Sequence, residues 1–417
     1  MQLKVVKTFV TRFLILILSF GLVIYTTNMW GTVGKGMISI VVANVAIVSF
    51  FSSIFAGSST SFFASKYKTE HILVFSYLWS VLIGILVPLI FSFVSFQQEY
   101  LFYLIGISIF SSLLSTHINL FVGTQNIRLF NIYTVLQQLL HIVFIVLLVY
   151  VFNKTNLSAY FLAQICCYGL LFVISFLQII KKCSISEISF SGNVFKSMLE
   201  YGWKNQLSAF IQFLNYRLSF YFLEYFEGIA AVGIFSIGIT FSEAIWTITR
   251  SIAVILYSDV VNSKSPEESI IKTKTSLRIS CMLMVLFILG IIVIPSQTYP
   301  FIFGEAFRNT KEIMLILSPG IFAIALSDMV GYYFSGIREL NILNIKSIAG
   351  LMITVGLSFI AIPRWGIFGA CMVTTVSYCF SAAILFWKFY KTTDFHLKDY
   401  LISKSEINVF LQKFKKK

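Results

Sequence analysis

The sequence predicts an all-α polytopic membrane protein with about 12 transmembrane helices. Three observations support this fold class: the composition, the spacing of apolar segments and the placement of basic residues. Hydrophobic residues make up 58% of the 417 residues and charged residues only 12%, and the mean hydropathy is +0.88. Ordinary soluble domains carry about 25% charged residues, so the composition excludes a soluble globular chain.

Apolar segments of membrane-spanning length follow one another along the chain. The hydrocarbon core of a bilayer is about 30 Å thick and a helix rises about 1.5 Å per residue, so one crossing needs about 20 apolar residues. The segments are apolar all round rather than alternating, which favours helices over barrel strands. The predicted helices are residues 12–30, 37–64, 71–95, 98–122, 130–152, 157–180, 205–225, 229–256, 276–296, 312–336, 341–363 and 366–390.

Basic residues fall mainly in alternate gaps between these helices. With the N-terminus in the cytoplasm, 25 of the 31 lysines and arginines lie in cytoplasmic ends and loops. Short cytoplasmic loops retain positive charge, so the pattern predicts an even number of crossings with both termini cytoplasmic. The other six are Lys35, Lys154, Arg217, Arg308, Lys311 and Arg364. The net charge of +14 is thus mainly a topology signal, and its dispersal argues against a nucleic-acid partner.

The longest polar interruption, residues 181–204, predicts two six-helix lobes joined by a cytoplasmic linker. The N-terminal lobe is expected at residues 1–180 and the C-terminal lobe at 205–390. A basic cytoplasmic tail follows at 391–417. We expect this tail to rest on anionic phospholipid, where each basic residue contributes about 1 kcal/mol, although a solvated tail is the alternative.

The sequence shows no catalytic constellation, so we do not expect an enzyme or a cofactor. It contains no nucleotide-binding loop, no Ser/His/Asp set and no histidine pair at metal-ligand spacing. The predicted outer loops are short, whereas membrane glycosyltransferases and polysaccharide polymerases generally need a sizeable outer loop or domain. The function is therefore expected within or across the bilayer.

Four charged residues lie within predicted helices of the second half: Arg217 in helix seven, Glu243 and Arg250 in helix eight, and Asp328 in helix ten. Arg250 lies about two turns nearer the cytoplasmic end of its helix than Glu243. A charge at membrane depth costs about 3 to more than 10 kcal/mol, so each should face a partner or a wet cavity. One interpretation is that Arg217 and Arg250 bind an anionic headgroup, while Glu243 and Asp328 orient them or carry a coupling ion. The alternative is an Arg217–Glu243 ion pair that only orients packing.

The polar residues of the first half are milder. Asn28 and Asn44 are candidate ligands in a diphosphate or sugar cavity. His141 is a candidate coupling residue, either a proton relay or a satisfied polar contact. Lys35 and Lys346 border the predicted interfaces, where lysines are expected to extend towards water.

Several fragments of the second half occur in an order and spacing typical of one family. They are FIFGEAF (Phe301–Phe307), LSPGI (Leu317–Ile321), GYYFSGIREL (Gly331–Leu340) and IPRWGIFGACMVTTVSY (Ile362–Tyr378). With further short matches in the first half, the sequence resembles bacterial polysaccharide flippases of the Wzx type, within the multidrug/oligosaccharidyl-lipid/polysaccharide (MOP) exporter superfamily.

The resemblance implies two six-helix lobes in a V shape that alternate between inward and outward openings in the bacterial inner membrane. The implied cargo is an undecaprenyl-diphosphate-linked oligosaccharide repeat unit for O-antigen, a part of lipopolysaccharide, or related surface polysaccharide. A polysaccharide polymerase and a chain-length regulator are further candidate partners, and coupling to H+ or Na+ is left open. Arg217 matches the family's arginine in helix seven. Ser219 replaces an acidic residue frequent in relatives, so Arg217 is expected to lack a local salt bridge.

Two other functions remain alternatives. A cation-coupled drug or metabolite antiporter of the same superfamily usually has a carboxylate in an early helix. Predicted helices one to six contain no Asp or Glu at depth, which favours an anionic lipid cargo. A membrane-embedded polysaccharide polymerase is disfavoured by the short outer loops.

Overall fold

The computed structural model describes residues 2–94, 98–181, 183, 191–263 and 265–393, and helices dominate this part of the chain. Shorter turns of 3-10 helix occur at Gln98–Tyr100 and Glu305–Phe307, and a π-helical turn at Leu147–Val151. The α-helices are α1 (Gln2–Ala56), α2 (Ser58–Phe63), α3 (Thr69–Val94), α4 (Leu101–Gly123), α5 (Ile127–Val146), α6 (Ser158–Ile180), α7 (Gly192–Glu227), α8 (Ile229–Val261), α9 (Pro266–Val293), α10 (Thr298–Phe303), α11 (Thr310–Gly336) and α12 (Asn341–Thr393).

Two very long helices are each divided by a glycine. At about 1.5 Å per residue, the 55 residues of α1 and the 53 residues of α12 are far longer than one crossing requires. Gly31 (φ 62°) breaks α1 and Gly366 (φ 52°) breaks α12, and this left-handed conformation favours glycine. A Cβ on Gly369 would lie 2.2 Å from the Ala361 carbonyl oxygen. Gly366 therefore permits the tight turn, and Gly369 permits close packing beside it.

The protein is a multi-pass membrane protein. Within the described residues, nine helical stretches are long and apolar enough to cross a bilayer, and two of them contain the glycine kinks. Each kinked stretch is long enough for two crossings. The total of 12 crossings and the cytoplasmic position of both termini stay predictions.

Two local differences from the predicted helices have clear causes. Helix α7 begins at Gly192, so residues 192–204 of the predicted linker are helical. Val194 and Met198, four residues apart, bury their side chains against Ile54 and Phe55. This segment is therefore an amphipathic helix. Its charged residues make the segment polar on average, so its composition alone does not reveal the apolar face.

A second difference is the break of the predicted helix 37–64 at Gly57, which separates α1 from α2. A Cβ on Gly57 would lie 2.7 Å from the Ser53 carbonyl oxygen, so the chain turns sharply here. Residues 182 and 184–190 of the predicted linker and 394–417 of the predicted tail lie outside the described residues.

The chain divides into two compact units, Met1–Phe210 and Ile211–Lys417. In the first unit α4 is central and packs against α1, α3, α5 and α6. Fully buried side chains such as Ile107, Leu114, Ile145 and Phe161 form its cores. The alternation of two lobes, 1–180 and 205–390, between inward and outward openings stays a prediction.

In the second unit α11 is the central helix and packs against α8, α9 and α12. Leu277, Met329, Phe334 and Phe389 are fully buried around it. A Cβ on Gly320 would lie 2.7 Å from the backbone of Thr375, so this glycine lets α11 and α12 approach closely. The side chains of α11 therefore lie in the interior of the unit, and Asp328 is one of them.

Candidate functional site

Two ion pairs join α7, α8 and α11 in the second unit. Arg217 Nη2 on α7 donates to Glu243 Oε2 on α8 at 2.8 Å. Arg250 Nε on α8 donates to Asp328 Oδ2 on α11 at 3.3 Å. The four charged residues singled out from the sequence thus form two pairs, and the first is the pair considered as an alternative to anion binding.

The ion pairs are not sealed from solvent. The side chains of Arg217 and Glu243 are 24% and 32% exposed, and that of Arg250 is 45% exposed. Asp328 is only 7% exposed. Arg250 therefore extends from a buried carboxylate to an accessible surface of the unit.

Trp246 fixes the arrangement around Arg250. It lies four residues earlier on α8, so both side chains are on one face of the helix. Its indole Nε1 donates to the same Asp328 Oδ2 at 2.7 Å. The guanidinium carbon of Arg250 lies 3.9 Å from the centroid of the Trp246 ring, a cation–π contact. The guanidinium is thus held by a carboxylate and an aromatic face.

Arg250 retains most of its hydrogen-bonding capacity. Only its Nε donates a hydrogen bond within the described part of the chain, so both Nη groups keep their N–H donors. A guanidinium presents its donors as a rigid planar fork that matches two oxygens of a phosphate or carboxylate. Arg250 can therefore bind an oxyanion while it remains bonded to Asp328.

Arg217 is less exposed than Arg250. Its Nη2 bonds to Glu243, and its guanidinium carbon lies 5.2 Å from the centroid of the Phe220 ring. Ser219 provides no local salt bridge to Arg217, as expected, but Glu243 supplies a salt bridge from the neighbouring helix. The Ser219 hydroxyl instead lies 3.3 Å from the Thr374 hydroxyl.

Lys346 on α12 adds a third cation. Its side chain is only 4% exposed, so the expectation that it extends to the interface is wrong. Its Nζ lies 3.9 Å from the position that a Cβ would take on Gly331, one helical turn after Asp328 on α11. The ammonium is in electrostatic range of Asp328 and Arg250.

We call Arg217, Glu243, Arg250, Asp328 and Lys346 the charged cluster. With three cations and two carboxylates, these five side chains sum to one positive charge when all are ionised. The cluster thus favours an anionic ligand over a cationic one.

Aromatic side chains connect the two ion pairs. Tyr378 on α12 is in electrostatic range of all four paired residues. The Tyr216 ring on α7 makes edge contacts with Trp246 at 4.9 Å and with Tyr378 at 5.4 Å. The ion pairs and these three rings therefore form one continuous site.

Asn215 positions α7 for this site. Its Oδ1 accepts from the Thr354 hydroxyl at 2.9 Å and from the Ser377 hydroxyl at 2.8 Å, and both donors lie on α12. Tyr216 and Arg217 follow directly in the sequence. The two hydrogen bonds consequently fix the rotation of α7 that directs these neighbours.

The candidate residues of the first unit lie in different local environments. Asn28 is exposed, and its Nδ2 donates to the Ile24 carbonyl at 3.0 Å. Asn44 is buried beside a cavity of about 10 Å³, which is room for about one water molecule. His141 is buried, with Nε2 3.3 Å from the Tyr160 carbonyl oxygen. Lys35 is also buried, so its expected extension to the interface is wrong.

Sequence reasoning missed a neutral polar cluster in the first unit. His117 Nδ1 lies 2.5 Å from the Ser175 hydroxyl, and its Nε2 bonds to the Tyr77 hydroxyl. The sequence showed His117 as a polar residue within a span but gave no signal for its partners on α3 and α6. Trp246 was also missed, although its spacing from Arg250 was visible.

Comparison with solved structures relates the chain to known transporters. Lipid II flippase MurJ, in an inward closed conformation, matches with a TM-score of 0.76 and 13% sequence identity, over 96% of this chain and 89% of that chain. An inward-facing multidrug resistance transporter of the MATE family matches with a TM-score of 0.72 and 13% identity, over 91% of this chain and 96% of that chain.

A MOP superfamily transporter from Pyrococcus furiosus matches with a TM-score of 0.65 and 13% identity, over 93% of this chain and 94% of that chain. No family model and no curated protein sequence matches the chain. The chain thus has the fold of MOP superfamily transporters. At this sequence identity the likeness concerns the fold, and the cargo has to be argued from the site.

Proposed function

We propose that the protein is a flippase that moves an undecaprenyl-diphosphate-linked oligosaccharide repeat unit from the cytoplasmic to the periplasmic leaflet of the bacterial inner membrane. It would act by alternating access and supply O-antigen or related surface polysaccharide assembly. The observation that carries this proposal is the Arg250 guanidinium, anchored through Nε to Asp328 with both Nη groups unbonded within the described residues. Such an anchored fork suits a diphosphate.

The charge balance of the cluster supports an anionic cargo. A diphosphate diester carries about two negative charges, and an inside-negative potential of about 100 mV favours outward movement by roughly 2.3 kcal/mol per charge. The excess positive charge of the charged cluster offsets part of the ligand's charge during binding. The membrane potential can then contribute to export.

The aromatic side chains suit the sugar portion of the cargo. Each sugar hydroxyl that loses its hydrogen bonds in hydrocarbon costs several kcal/mol. Tyr216, Trp246 and Tyr378 combine apolar faces with polar groups beside the charged cluster, and such residues can contact a sugar ring while bonding to its hydroxyls. The fold shared with lipid II flippase MurJ is consistent with a lipid-linked cargo.

A cation-coupled drug or metabolite antiporter is the second candidate, and the likeness to MATE family transporters supports it. Such a protein needs a carboxylate that is available to a cation. In the charged cluster, however, Glu243 and Asp328 are already paired with arginines. The cluster therefore supports an anionic cargo more directly than a cationic one.

The test is complementation of a flippase-deficient strain, scored by its surface polysaccharide ladder. The chain should restore the ladder, and Arg250→Gln should reduce the restoration about 10- to 100-fold at an unchanged membrane level. Arg364→Gln is a matched control, because Arg364 is exposed and lies beside the kink of α12. Drug resistance without a ladder would support the antiporter, and a full ladder from Arg250→Gln would refute the role of Arg250.

A further inference from the structure

We propose that Lys346 is a built-in counter-cation for Asp328 and takes the place of a cation that would otherwise have to bind from solution. The inference rests on the proposed function, since it concerns the same charged cluster when an anionic headgroup binds Arg250. It assigns Lys346 a positioning role and predicts that Asp328 binds no Na+.

The first argument is the burial of both charges. Asp328 is 7% exposed and Lys346 is 4% exposed. Among the described residues the Lys346 ammonium makes no hydrogen bond or salt bridge. Its Nζ lies 3.9 Å from the position that a Cβ would take on Gly331, one helical turn after Asp328 on α11, and Asp328 is in its electrostatic range. A buried ammonium without a carboxylate partner is strongly unfavourable. Lys346 is thus placed to neutralise Asp328 whenever Arg250 is drawn away.

Two positively charged side chains lie around Asp328 and can alternate in neutralising it. The charged groups that face it are Arg250 from α8 and Lys346 from α12. The hydroxyls of Tyr216, Tyr332 and Tyr378 are also in electrostatic range, and the Trp246 indole donates to its Oδ2. With two internal cations beside one carboxylate, Asp328 needs no cation from solution.

The chemistry of lysine allows Lys346 to replace Arg250 as the counter-ion of Asp328. Its ammonium is a point charge on a flexible stem, whereas the planar guanidinium of Arg250 is held over the Trp246 ring. When a phosphate binds the Nη groups of Arg250, it brings negative charge close to Asp328. Rotation of the Lys346 side chain can then bring its ammonium to the carboxylate, and it can withdraw when the phosphate leaves.

The test uses thermal unfolding of the purified full chain in NaCl and in choline chloride at equal ionic strength. The wild-type protein should unfold at the same temperature in both salts. Arg250→Gln stands for the state in which Arg250 is drawn away, and it should also show no Na+ response, because Lys346 then neutralises Asp328. Lys346→Met in the Arg250→Gln background should gain a Na+-specific rise in Tm of about 3 °C, because Asp328 then has neither cation and recruits Na+. Adding Asp328→Asn to this double variant should abolish the gain, and Lys346→Arg in the Arg250→Gln background should show no Na+ response.

Three results would overturn the proposal: a wild-type Na+-specific rise that Asp328→Asn abolishes, a Na+-specific rise in Arg250→Gln alone, or a folded double variant with Arg250→Gln and Lys346→Met that does not respond to Na+. If this double variant does not fold, the wild-type and Asp328→Asn comparison still decides whether Asp328 binds Na+, and Lys346→Gln in the Arg250→Gln background then tests the gain. The measurement needs no glycolipid, so its failure is distinguishable from a failure of complementation.

Discussion

The two units of the chain stabilise buried polar groups in different ways. In the first unit, His117 bonds to the hydroxyls of Tyr77 and Ser175, which is a neutral arrangement. In the second unit, Arg250 and Asp328 form an ion pair beside a buried lysine. Lys35 shows that the first unit also contains a buried cation, but the two described ion pairs that involve the predicted site residues lie in the second unit.

This difference indicates where function resides. Neutral hydrogen bonds satisfy buried polar groups without separating charge. Buried ion pairs are often no more stabilising than apolar residues of similar volume, and charges at membrane depth are commonly functional. We therefore expect substitutions in the charged cluster to affect transport, and substitutions around His117 to affect stability alone.

The largest expected effect comes from Asp328→Ala. The change removes the acceptor shared by Trp246 and Arg250, and it also removes the carboxylate that is in electrostatic range of Lys346. Breaking a buried pair in this way should lower the free energy of unfolding by roughly 3 kcal/mol. Thermal unfolding of the purified protein measures the loss.

Asp259→Ala is the control for this change, because Asp259 is an exposed aspartate near the end of α8. It should leave the unfolding temperature close to that of the wild type. Equal unfolding temperatures for the two variants would show that the Asp328 contacts contribute little to stability.

Substitution of the two arginines should have an intermediate effect on export, and the loss should differ between them. Loss of a charge-assisted interaction with the headgroup should reduce export about 10- to 100-fold in Arg250→Gln. Arg217→Gln should retain more export, since Arg217 is less exposed and uses one of its Nη groups to bind Glu243, whereas Arg250 binds Asp328 through Nε. The polysaccharide ladder, normalised to protein in the membrane, gives the comparison. A greater loss from Arg217→Gln would restore Arg217 as the principal anion ligand.

The smallest effects should come from single hydrogen bonds, one in each unit. Trp246→Phe keeps an aromatic ring under Arg250 but removes the donor to Asp328, and Ser175→Ala removes a partner of His117. Each should cost about 1 kcal/mol of stability. Only Trp246→Phe should also lower export severalfold, because it loosens Arg250. Equal export by both variants would contradict the assignment of function to the second unit.

The sequence predicted features that depend on local chemistry. The break at Gly31 lies between two predicted helices, and the break at Gly366 lies at the first residue of the predicted twelfth helix. Gly366 is followed by Gly369, which close packing requires. The Arg217–Glu243 pair was foreseeable because the two residues lie at depth on consecutive helices.

Features that depend on distant packing were not predictable. Asp328 meets Arg250, 78 residues earlier, because α8 packs against α11. Lys346 was judged from its position near a helix end, whereas its burial depends on packing between α11 and α12. The helical start of α7 was missed because its apolar face is interrupted by charged residues.

Because Trp246 contacts both members of an ion pair, changes at the site can be followed by tryptophan fluorescence. The indole N–H bonds to Asp328 while the guanidinium of Arg250 lies over the ring. Indole emission responds to the electric field around the ring, so rearrangement of these charges would shift its wavelength. Subtracting the spectrum of Trp246→Phe would isolate this signal from the other tryptophans and follow ligand binding without an attached dye.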